Sequence, residues 1–184
     1  MKKIGIWSLI LCSLLFVTGC GGDDCDNCDI ETEPGNVQVG DVLPDFSVKQ
    51  NDGVTVNKKS LEGKISLILF FSISCPDCQE LFPSIERIYE EYNDNDKFIL
   101  LAISRAEGED AVSKFMKEKG YTFPYSPQET RDVYSLFAPS IVPRVYISNW
   151  NCIVQDIFLD DPIATYDELK SKIDALIEEL CCKT

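Results

Sequence analysis

The chain has 184 residues and is acidic, with 31 aspartates and glutamates against 17 lysines and arginines and a formal net charge of −14. This charge argues against binding to nucleic acid. The sequence contains no histidine, which excludes Ser–His and Cys–His catalytic pairs and histidine metal ligands. Its nine cysteines are many for a cytosolic protein of this size and indicate an oxidising compartment.

Residues 1–19 have the pattern of an export signal. Lys2 and Lys3 give a basic start, and the apolar stretch over 4–17 is too short for a comfortable membrane span. The stretch ends in the letters VTGC, which resemble a bacterial lipobox finishing at Cys20. This resemblance implies a lipid on Cys20 and a protein anchored in the cell envelope, at the periplasmic face of the outer membrane or at the cell surface. An ordinary cleaved signal, with Cys20 incidental, is the alternative.

Residues 20–38 are predicted to form a flexible tether, because they are polar, contain glycine and have no hydrophobic period. A Cys-x-x-Cys pair, Cys25 and Cys28, lies within it among aspartates. This pair could form a local disulfide, a redox relay or a clip for a soft metal, or it could be incidental. Neighbouring negative charge would raise a thiol pKa, which disfavours a catalytic role for the pair.

Residues 39–184 have the pattern of one α/β domain. Alternating valines around an Asn-Asp-Gly turn at 51–53 predict a β-hairpin. The apolar run Ile65–Phe71 is typical of a strand buried on both faces. Cys75 and Cys78 follow this run, and the next stretch has apolar residues at helical spacing. The two sulfurs are therefore predicted to lie where a buried strand leads into a helix.

This position has chemical consequences for the two cysteines. Pro76 suits the first helical position, which would make Cys75 the N-cap residue. Free backbone N–H groups and the helix dipole favour a thiolate there and lower its pKa. Cys78, one turn later, can close a disulfide with Cys75. We therefore predict thiol–disulfide exchange with Cys75 as the nucleophile and Cys78 as the resolving cysteine. A structural disulfide or half of a metal site is the alternative.

The rest of the chain continues the same alternation of strands and helices. Pro83 predicts a kink in the helix that carries the cysteines. Cys152 is interpreted as a packed or idle thiol. Cys181 and Cys182 are not expected to pair with each other, because adjacent cysteines close a strained ring. The remaining predicted elements are a buried strand over 98–103, a helix over 107–120, a loop over 122–128, a short helix over 132–137, strands over 145–147 and 152–159, and a C-terminal helix over 166–180.

The order of these features resembles the TlpA/ResA branch of the thioredoxin-like superfamily, which contains membrane-tethered thiol–disulfide oxidoreductases. The resemblance covers residues 37–180. It is carried by VGD and LPDF before the hairpin, LEGK before the strand, the Cys-x-x-Cys helix with Pro83, and Pro143 before a strand. It implies a thioredoxin-like fold, with a central mixed β-sheet flanked by helices and an N-terminal β-hairpin extension.

The resemblance also implies a substrate groove and partners. Pro143 would follow a cis peptide bond beside the redox pair, and the backbone of Val142 would pair with an extended client. A trans proline at a strand start is the plainer interpretation. The expected partners are protein disulfide substrates, a thiol electron donor and the membrane that holds the anchor. No cofactor or metal is expected.

The chain departs from the family pattern at the active-site helix. Many relatives read Cys-x-Pro-Cys and carry a glutamate three residues after the second cysteine, whereas Asp77 and Leu81 occupy these places here. Glu80 comes one residue early, about 100° round the helix, so no buried acid–base carboxylate is assigned. Asp77 is expected to raise the pKa of Cys75 and make the pair more reducing, so Pro76 and Asp77 are candidate redox-tuning residues.

Three other functions are compatible with parts of the pattern. VGD and LPDF openings also occur in peroxiredoxins, but the proline of the peroxiredoxin motif would fall at Ile68, so a thiol peroxidase ranks lower. A non-catalytic lipid-anchored binding module would not need both Cys75 and Cys78. A zinc module combining these two with the tether pair is arithmetically possible, but it would pull the strand end toward the tether.

Overall fold

A computed structural model describes residues 35–183 of the chain. The predictions made for the export signal, for Cys20 and for the tether pair Cys25 and Cys28 lie outside these residues. No helix among residues 35–183 combines the length and the apolar character needed to span a membrane.

Strands and helices alternate along the described part of the chain, as an α/β fold requires. In chain order they are β1 Ser47–Lys49, β2 Thr55–Asn57, α1 Lys58–Leu61, β3 Ile65–Phe71, α2 Pro76–Tyr92, β4 Phe98–Ser104, α3 Glu109–Lys119, β5 Tyr125–Ser126, α4 Asp132–Phe137, β6 Arg144–Ser148, β7 Val154–Phe158 and α5 Tyr166–Lys183. The predicted hairpin is present, because β1 and β2 pair antiparallel as a small separate sheet.

The central sheet has the strand order β5-β4-β3-β6-β7. Strand β3 pairs parallel with β4 and antiparallel with β6, so the sheet is mixed, which confirms the predicted architecture. In the β3–β4 register Phe71 lies opposite Ser104, and in the β3–β6 register Phe70 lies opposite Arg144. The carboxyl ends of β3 and β4 therefore meet the start of β6 at one edge of the sheet.

All seven residues of β3 are buried, and their side chains alternate between two aromatic clusters. Phe71 meets Phe82 of α2 edge-to-face, with ring centroids 5.3 Å apart. Phe70 points to the other face, where Tyr134 and Phe137 of α4 lie 5.3 and 4.8 Å away, centroid to centroid. Each large ring removes its apolar surface from water and favours this tilted packing. The core is therefore built on the strand that leads to the two cysteines.

Several element boundaries differ from the predictions. Helix α3 begins at Glu109, because Gly108 has the extended conformation of an N-cap residue, and it ends as predicted at Gly120, whose φ is +76°. The predicted loop over 122–128 contains the two-residue strand β5. Helix α1 was not predicted, and its N-cap Asn57 accepts a hydrogen bond from the N–H of Ser60. Helix α5 continues past 180, to Lys183.

The packed body begins before residue 39. Gly35 and Val37, which belong to the predicted tether, donate backbone hydrogen bonds to the carbonyls of Leu136 (3.2 Å) and Phe137 (2.9 Å). Val37 is 1% exposed. Gly35 has a φ of +81°, and a Cβ there would lie 2.6 Å from the carbonyl oxygen of Ser135. The chain therefore enters the domain along the end of α4.

Candidate active site

Cys75 lies at the N-terminus of α2. It is the N-cap residue, in an extended conformation, and Pro76 and Asp77 form the start of the first turn. The Cys75 side chain is half-buried, and its thiol donates to the carbonyl oxygen of Val142 at 3.4 Å. Cys75 is therefore partly exposed at the end of α2, beside the unpaired N–H groups of a helix N-terminus, where a negative charge is favoured.

Cys78 has a contrasting environment one turn later. Its side chain is 0% exposed, and its sulfur accepts a hydrogen bond from the N–H of Ser72 at 3.5 Å. Burial raises the pKa of Cys78 far above its usual range; the Ser72 N–H partly opposes this, and Cys75 and Asp77 raise the pKa further. Both cysteines are free thiols in this structure. Cys78 therefore stays protonated and shielded while Cys75 remains accessible.

The loop before β6 forms the other wall of the site. The peptide bond between Val142 and Pro143 is cis, as the sequence predicts, and both residues are buried. Strand β6 starts directly after Pro143, with Arg144 opposite Phe70 of β3. This antiparallel register brings Pro143 to the end of β3, where Cys75 follows. The structure thus brings together Cys75, Cys78, Val142 and Pro143.

Three side chains hold successive carbonyls of the segment 138–142. The hydroxyl of Tyr134 donates to the carbonyl of Ile141 at 2.6 Å. Arg131 donates to the carbonyl of Pro139 at 3.1 Å, and Arg144 to that of Ser140 at 3.3 Å. Ile141 has a φ of +75°, a conformation that is costly for a β-branched residue. The segment is therefore fixed from both α4 and β6.

Glu107 braces the segment that leads from β3 to Cys75. One carboxylate oxygen accepts from the N–H of Ile73 at 2.7 Å, and the other accepts from the hydroxyl of Ser72 at 2.7 Å and from that of Ser74 at 3.5 Å. The hydroxyl of Ser104 donates to the Glu107 carbonyl at 2.8 Å, which fixes the backbone there. Glu107 thus ties the end of β4 to the cysteine-bearing segment.

The sequence does not indicate Glu107 as a site residue, because its surroundings predict the first turn of a helix there. One signal was present. Since β3 and β4 are parallel neighbours, polar residues after each strand meet at one edge of the sheet. The position three residues after Cys78, where many relatives carry a glutamate, holds the buried Leu81 in this chain. The neighbouring Glu80 is exposed. The carboxylate found at this end of the sheet, that of Glu107, comes instead from the loop between β4 and α3.

The remaining described cysteines lie away from this site. Cys152 is buried, its thiol contacts the carbonyl of Lys58 at 3.6 Å, and burial is the main cause of its raised pKa. Cys181 and Cys182 are exposed on α5, and the Lys97 ammonium donates to Cys181 at 2.9 Å. Within residues 35–183 no group of three or more Asp, Glu, Cys or His side chains could hold a metal ion.

Comparison with known proteins gives consistent matches. The model of the AhpC/TSA family matches residues 39–157. The thiol-disulfide oxidoreductase ResA of Oceanobacillus iheyensis is 31% identical over 124 residues, which are 65% of this chain and 64% of the relative. The chain therefore spans slightly less than two thirds of that relative's length. The thioredoxin-like protein YneN of Bacillus subtilis is 27% identical over 139 residues, 75% of this chain and 80% of the relative.

The fold also matches solved structures. A solution structure of a candidate protein disulfide isomerase from Bacteroides thetaiotaomicron superposes with a TM-score of 0.71 and 26% sequence identity. The match covers 81% of this chain and 94% of that protein. This coverage includes most of the described residues, so the similarity concerns the whole domain and not only the segment around the two cysteines.

Proposed function

Because the chain belongs to the AhpC/TSA family, we propose that it is a thiol–disulfide oxidoreductase that reduces or isomerises disulfides of exported proteins. The observation that carries the proposal is the pairing of an accessible Cys75 at a helix N-terminus with a buried Cys78 one turn later, next to a cis proline. The ResA relatives, which are named for this activity, support it.

The two cysteines have different roles in the proposed reaction. The Cys75 thiolate attacks one sulfur of a client disulfide, forms a mixed disulfide and releases the other client sulfur as a thiolate. Cys78 then loses its proton and attacks the Cys75 sulfur, which frees the second client thiol and leaves a Cys75–Cys78 disulfide. Two electrons pass from the protein to the client, and a thiol donor returns them. The raised pKa of Cys78 keeps it from competing for the first attack.

The cis-proline segment supplies the client groove in this proposal. Proline has no N–H, so Pro143 leaves space for a chain to lie alongside without an unpaired donor. The backbone of Val142 would pair with an extended client as an added strand does. The contact between the Cys75 thiol and the Val142 carbonyl at 3.4 Å supports this arrangement, since it brings the reactive sulfur next to the pairing backbone.

The anchoring of the protein is part of the same proposal. Cys20 ends a lipobox-like segment, so we expect a lipid on this residue and a protein held at the cell envelope. Incorporation of labelled palmitate by the wild type, but not by Cys20→Ala, would support the anchor. Equal labelling of both proteins would contradict it, without bearing on the chemistry of Cys75.

Trapping with Cys78→Ser tests the chemistry. Without the resolving thiol, mixed disulfides through Cys75 should accumulate, and they should disappear on reduction and in the Cys75→Ser, Cys78→Ser double variant. Cys152→Ser is the matched control, since this cysteine is buried away from the site. Failure to trap any client would favour a non-catalytic binding module. Peroxide consumption faster than insulin reduction by the wild type would favour a thiol peroxidase.

A further inference from the structure

Three of the four arginines in the chain lie beside the proposed site, two of them over the same aromatic ring. The guanidinium carbons of Arg105 and Arg131 lie 5.7 and 5.4 Å from the centre of the Tyr134 ring. Arg144 follows Pro143 directly, and its side chain donates to the hydroxyl of Tyr146 at 3.5 Å. We refer to Arg105, Arg131 and Arg144 as the arginine cluster.

Short contacts connect the arginine cluster to Cys75. Tyr134 donates to the carbonyl of Ile141 at 2.6 Å, and the next carbonyl, that of Val142, accepts from the Cys75 thiol at 3.4 Å. On the other side, the N–H of Arg105 donates to the carbonyl of Phe71 at 2.8 Å, four residues before Cys75. The cluster therefore borders the groove that a client would occupy.

Within residues 35–183 no carboxylate forms an ion pair with the arginine cluster. All ion pairs within residues 35–183 are formed by lysines. Among the nearby acidic residues, Glu107 accepts hydrogen bonds from the segment before Cys75, Asp132 accepts from the hydroxyl of Thr130 at 2.8 Å, and Glu129 lies against Gly108. Three positive charges thus lie together without an ion-pair partner among the described residues of a strongly acidic protein.

Arg144 adds a buried positive charge to the arginine cluster. It is 9% exposed, and its Nε has no hydrogen-bond partner among the described residues. A buried charge without a partner of opposite sign is costly to the folded state. Its field acts over a longer range than an exposed charge, because the surrounding protein screens it less than water does. Arg144 therefore adds positive potential beneath the two outer arginines.

We propose that the arginine cluster binds an acidic segment next to the reactive disulfide of the client, an inference that rests on the proposed oxidoreductase function. Guanidinium groups bind carboxylates through paired, charge-assisted hydrogen bonds. Arg131 is exposed and Arg105 half-exposed, so both can reach a bound chain. The net charge of −14 repels acidic clients at a distance. The cluster reverses this repulsion at the groove and favours clients that present carboxylates there.

Three synthetic peptides with the same internal disulfide and with acidic, neutral or basic flanks test the proposal. The second-order rate constant for reduction of each peptide is measured at low and at physiological ionic strength. The wild type should reduce the acidic peptide about tenfold faster than the neutral one, and salt should narrow the difference. In Arg105→Gln and Arg131→Gln the acidic-to-neutral ratio should fall about 2- to 5-fold each, as expected for a partly exposed ion pair.

Arg87→Gln is the matched control. Arg87 also stacks on an aromatic ring, with its guanidinium carbon 3.6 Å from the centre of Tyr166, but no contact connects it to the cis-proline segment among the described residues. The ratio of the rate constants for the acidic and neutral peptides should be the same in Arg87→Gln as in the wild type. Circular dichroism of each variant establishes that the fold is retained.

Each outcome is decisive. Equal wild-type rates for the three peptides, or faster reduction of the basic one, would overturn the acidic-client inference and leave the oxidoreductase function intact. If Arg131→Gln lowers the rate constant by the same factor for all three peptides, the role of Arg131 is to hold the carbonyl of Pro139. This result would also overturn the inference. Failure of the wild type to reduce any peptide would instead count against the proposed function.

Discussion

The carboxylate of Glu107 accepts a hydrogen bond from the backbone N–H of Ile73 at 2.7 Å, two residues before Cys75. The same carboxylate holds the hydroxyl of Ser72, and Ser72 contacts both cysteines. Its carbonyl accepts from the N–H of Cys75 at 3.2 Å, and its N–H donates to the sulfur of Cys78 at 3.5 Å. A residue after β4 therefore positions the segment on which both sulfurs depend.

Replacing Glu107 with alanine should affect both stability and redox behaviour. The N–H of Ile73 loses its acceptor, and we expect a loss of about 1–3 kcal/mol in the free energy of unfolding. The Ser72 N–H should then support the reduced Cys78 less well, so the potential of the pair should become about 10–30 mV more negative. Glu107→Gln, which keeps an acceptor oxygen, should give smaller changes.

Urea unfolding and redox titration against glutathione measure these two effects. Glu80→Ala is the control, because Glu80 is exposed on α2 and its removal should leave both quantities close to wild type. If Glu107→Ala unfolds at the wild-type midpoint and keeps the wild-type potential, the bracing role assigned to this carboxylate is wrong.

The burial of Cys78 predicts a pH dependence of stability. Burial raises the pKa of Cys78 in the folded protein above its ordinary value of 9.0. This thiol therefore ionises at a lower pH in the unfolded state than in the folded state. The stabilisation is complete below about pH 9 and declines as the pH rises further. The free energy of unfolding of the reduced protein should therefore fall with pH in this range, and Cys78→Ala should lack this component. Parallel curves for the two proteins would contradict the assignment.

The same asymmetry predicts selective alkylation. In the reduced protein, iodoacetamide should modify Cys75 while Cys78 remains unmodified, because only a thiolate reacts and Cys78 is both protonated and buried. Peptide mapping by mass spectrometry separates these sites from exposed Cys181 and Cys182, which serve as internal references. Modification of Cys78 at a rate equal to that of Cys182 would contradict the burial of Cys78.

Removing the charge of Asp77 should make the pair less reducing. Asp77 contributes to the raised pKa of Cys78 and lies in the first turn of α2, so its carboxylate disfavours ionisation of a nearby thiol. Asp77→Asn should shift the potential upward by about 10–30 mV. Asp110→Asn, a first-turn residue of α3, is the control. An unchanged potential in Asp77→Asn would remove Asp77, though not Pro76, from the candidate tuning residues.

Tyr134→Phe should loosen the cis-proline segment. The variant keeps the ring that packs on Phe70 and removes only the hydroxyl that donates to Ile141 at 2.6 Å. We expect a loss of about 1 kcal/mol in unfolding free energy and slower reduction of an insulin substrate. Tyr92→Phe, which removes a hydrogen bond to the carboxylate of Asp174, is matched in chemistry and should change stability alone. Equal rates of insulin reduction in both variants would show that the hydrogen bond of Tyr134 does not contribute to activity.

The sequence predicts those parts of the fold that depend on a short, local pattern of residues. Strand β3 is a continuous apolar run, the cysteines follow it directly, and the hairpin has its Asn-Asp-Gly turn. The order of the motifs was also sufficient to predict the cis bond before Pro143. Strand β5 was missed because two residues show no period, and α1 because it has a single turn.

The contacts that position the site are harder to predict, because they join distant segments. Glu107 lies 34 residues from Ile73 along the chain, and nothing in either segment alone indicates the pairing. The arginine cluster combines the residue after β4, the residue before α4 and the first residue of β6, so its members are close together only after the sheet has formed. Residues 35–38 contain one apolar side chain, Val37, and a single buried residue gives no pattern to recognise.

The amide proton of Ser72 is an intrinsic NMR probe of the oxidation state of Cys75 and Cys78. The N–H of Ser72 points at one sulfur, and its carbonyl receives the N–H of the other cysteine. Conversion of two thiols into a disulfide changes the electron density on the accepting sulfur, so the amide proton resonance of this residue should follow the oxidation state without any added label. A single crosspeak would then report, in real time, how much of the protein has delivered its electrons.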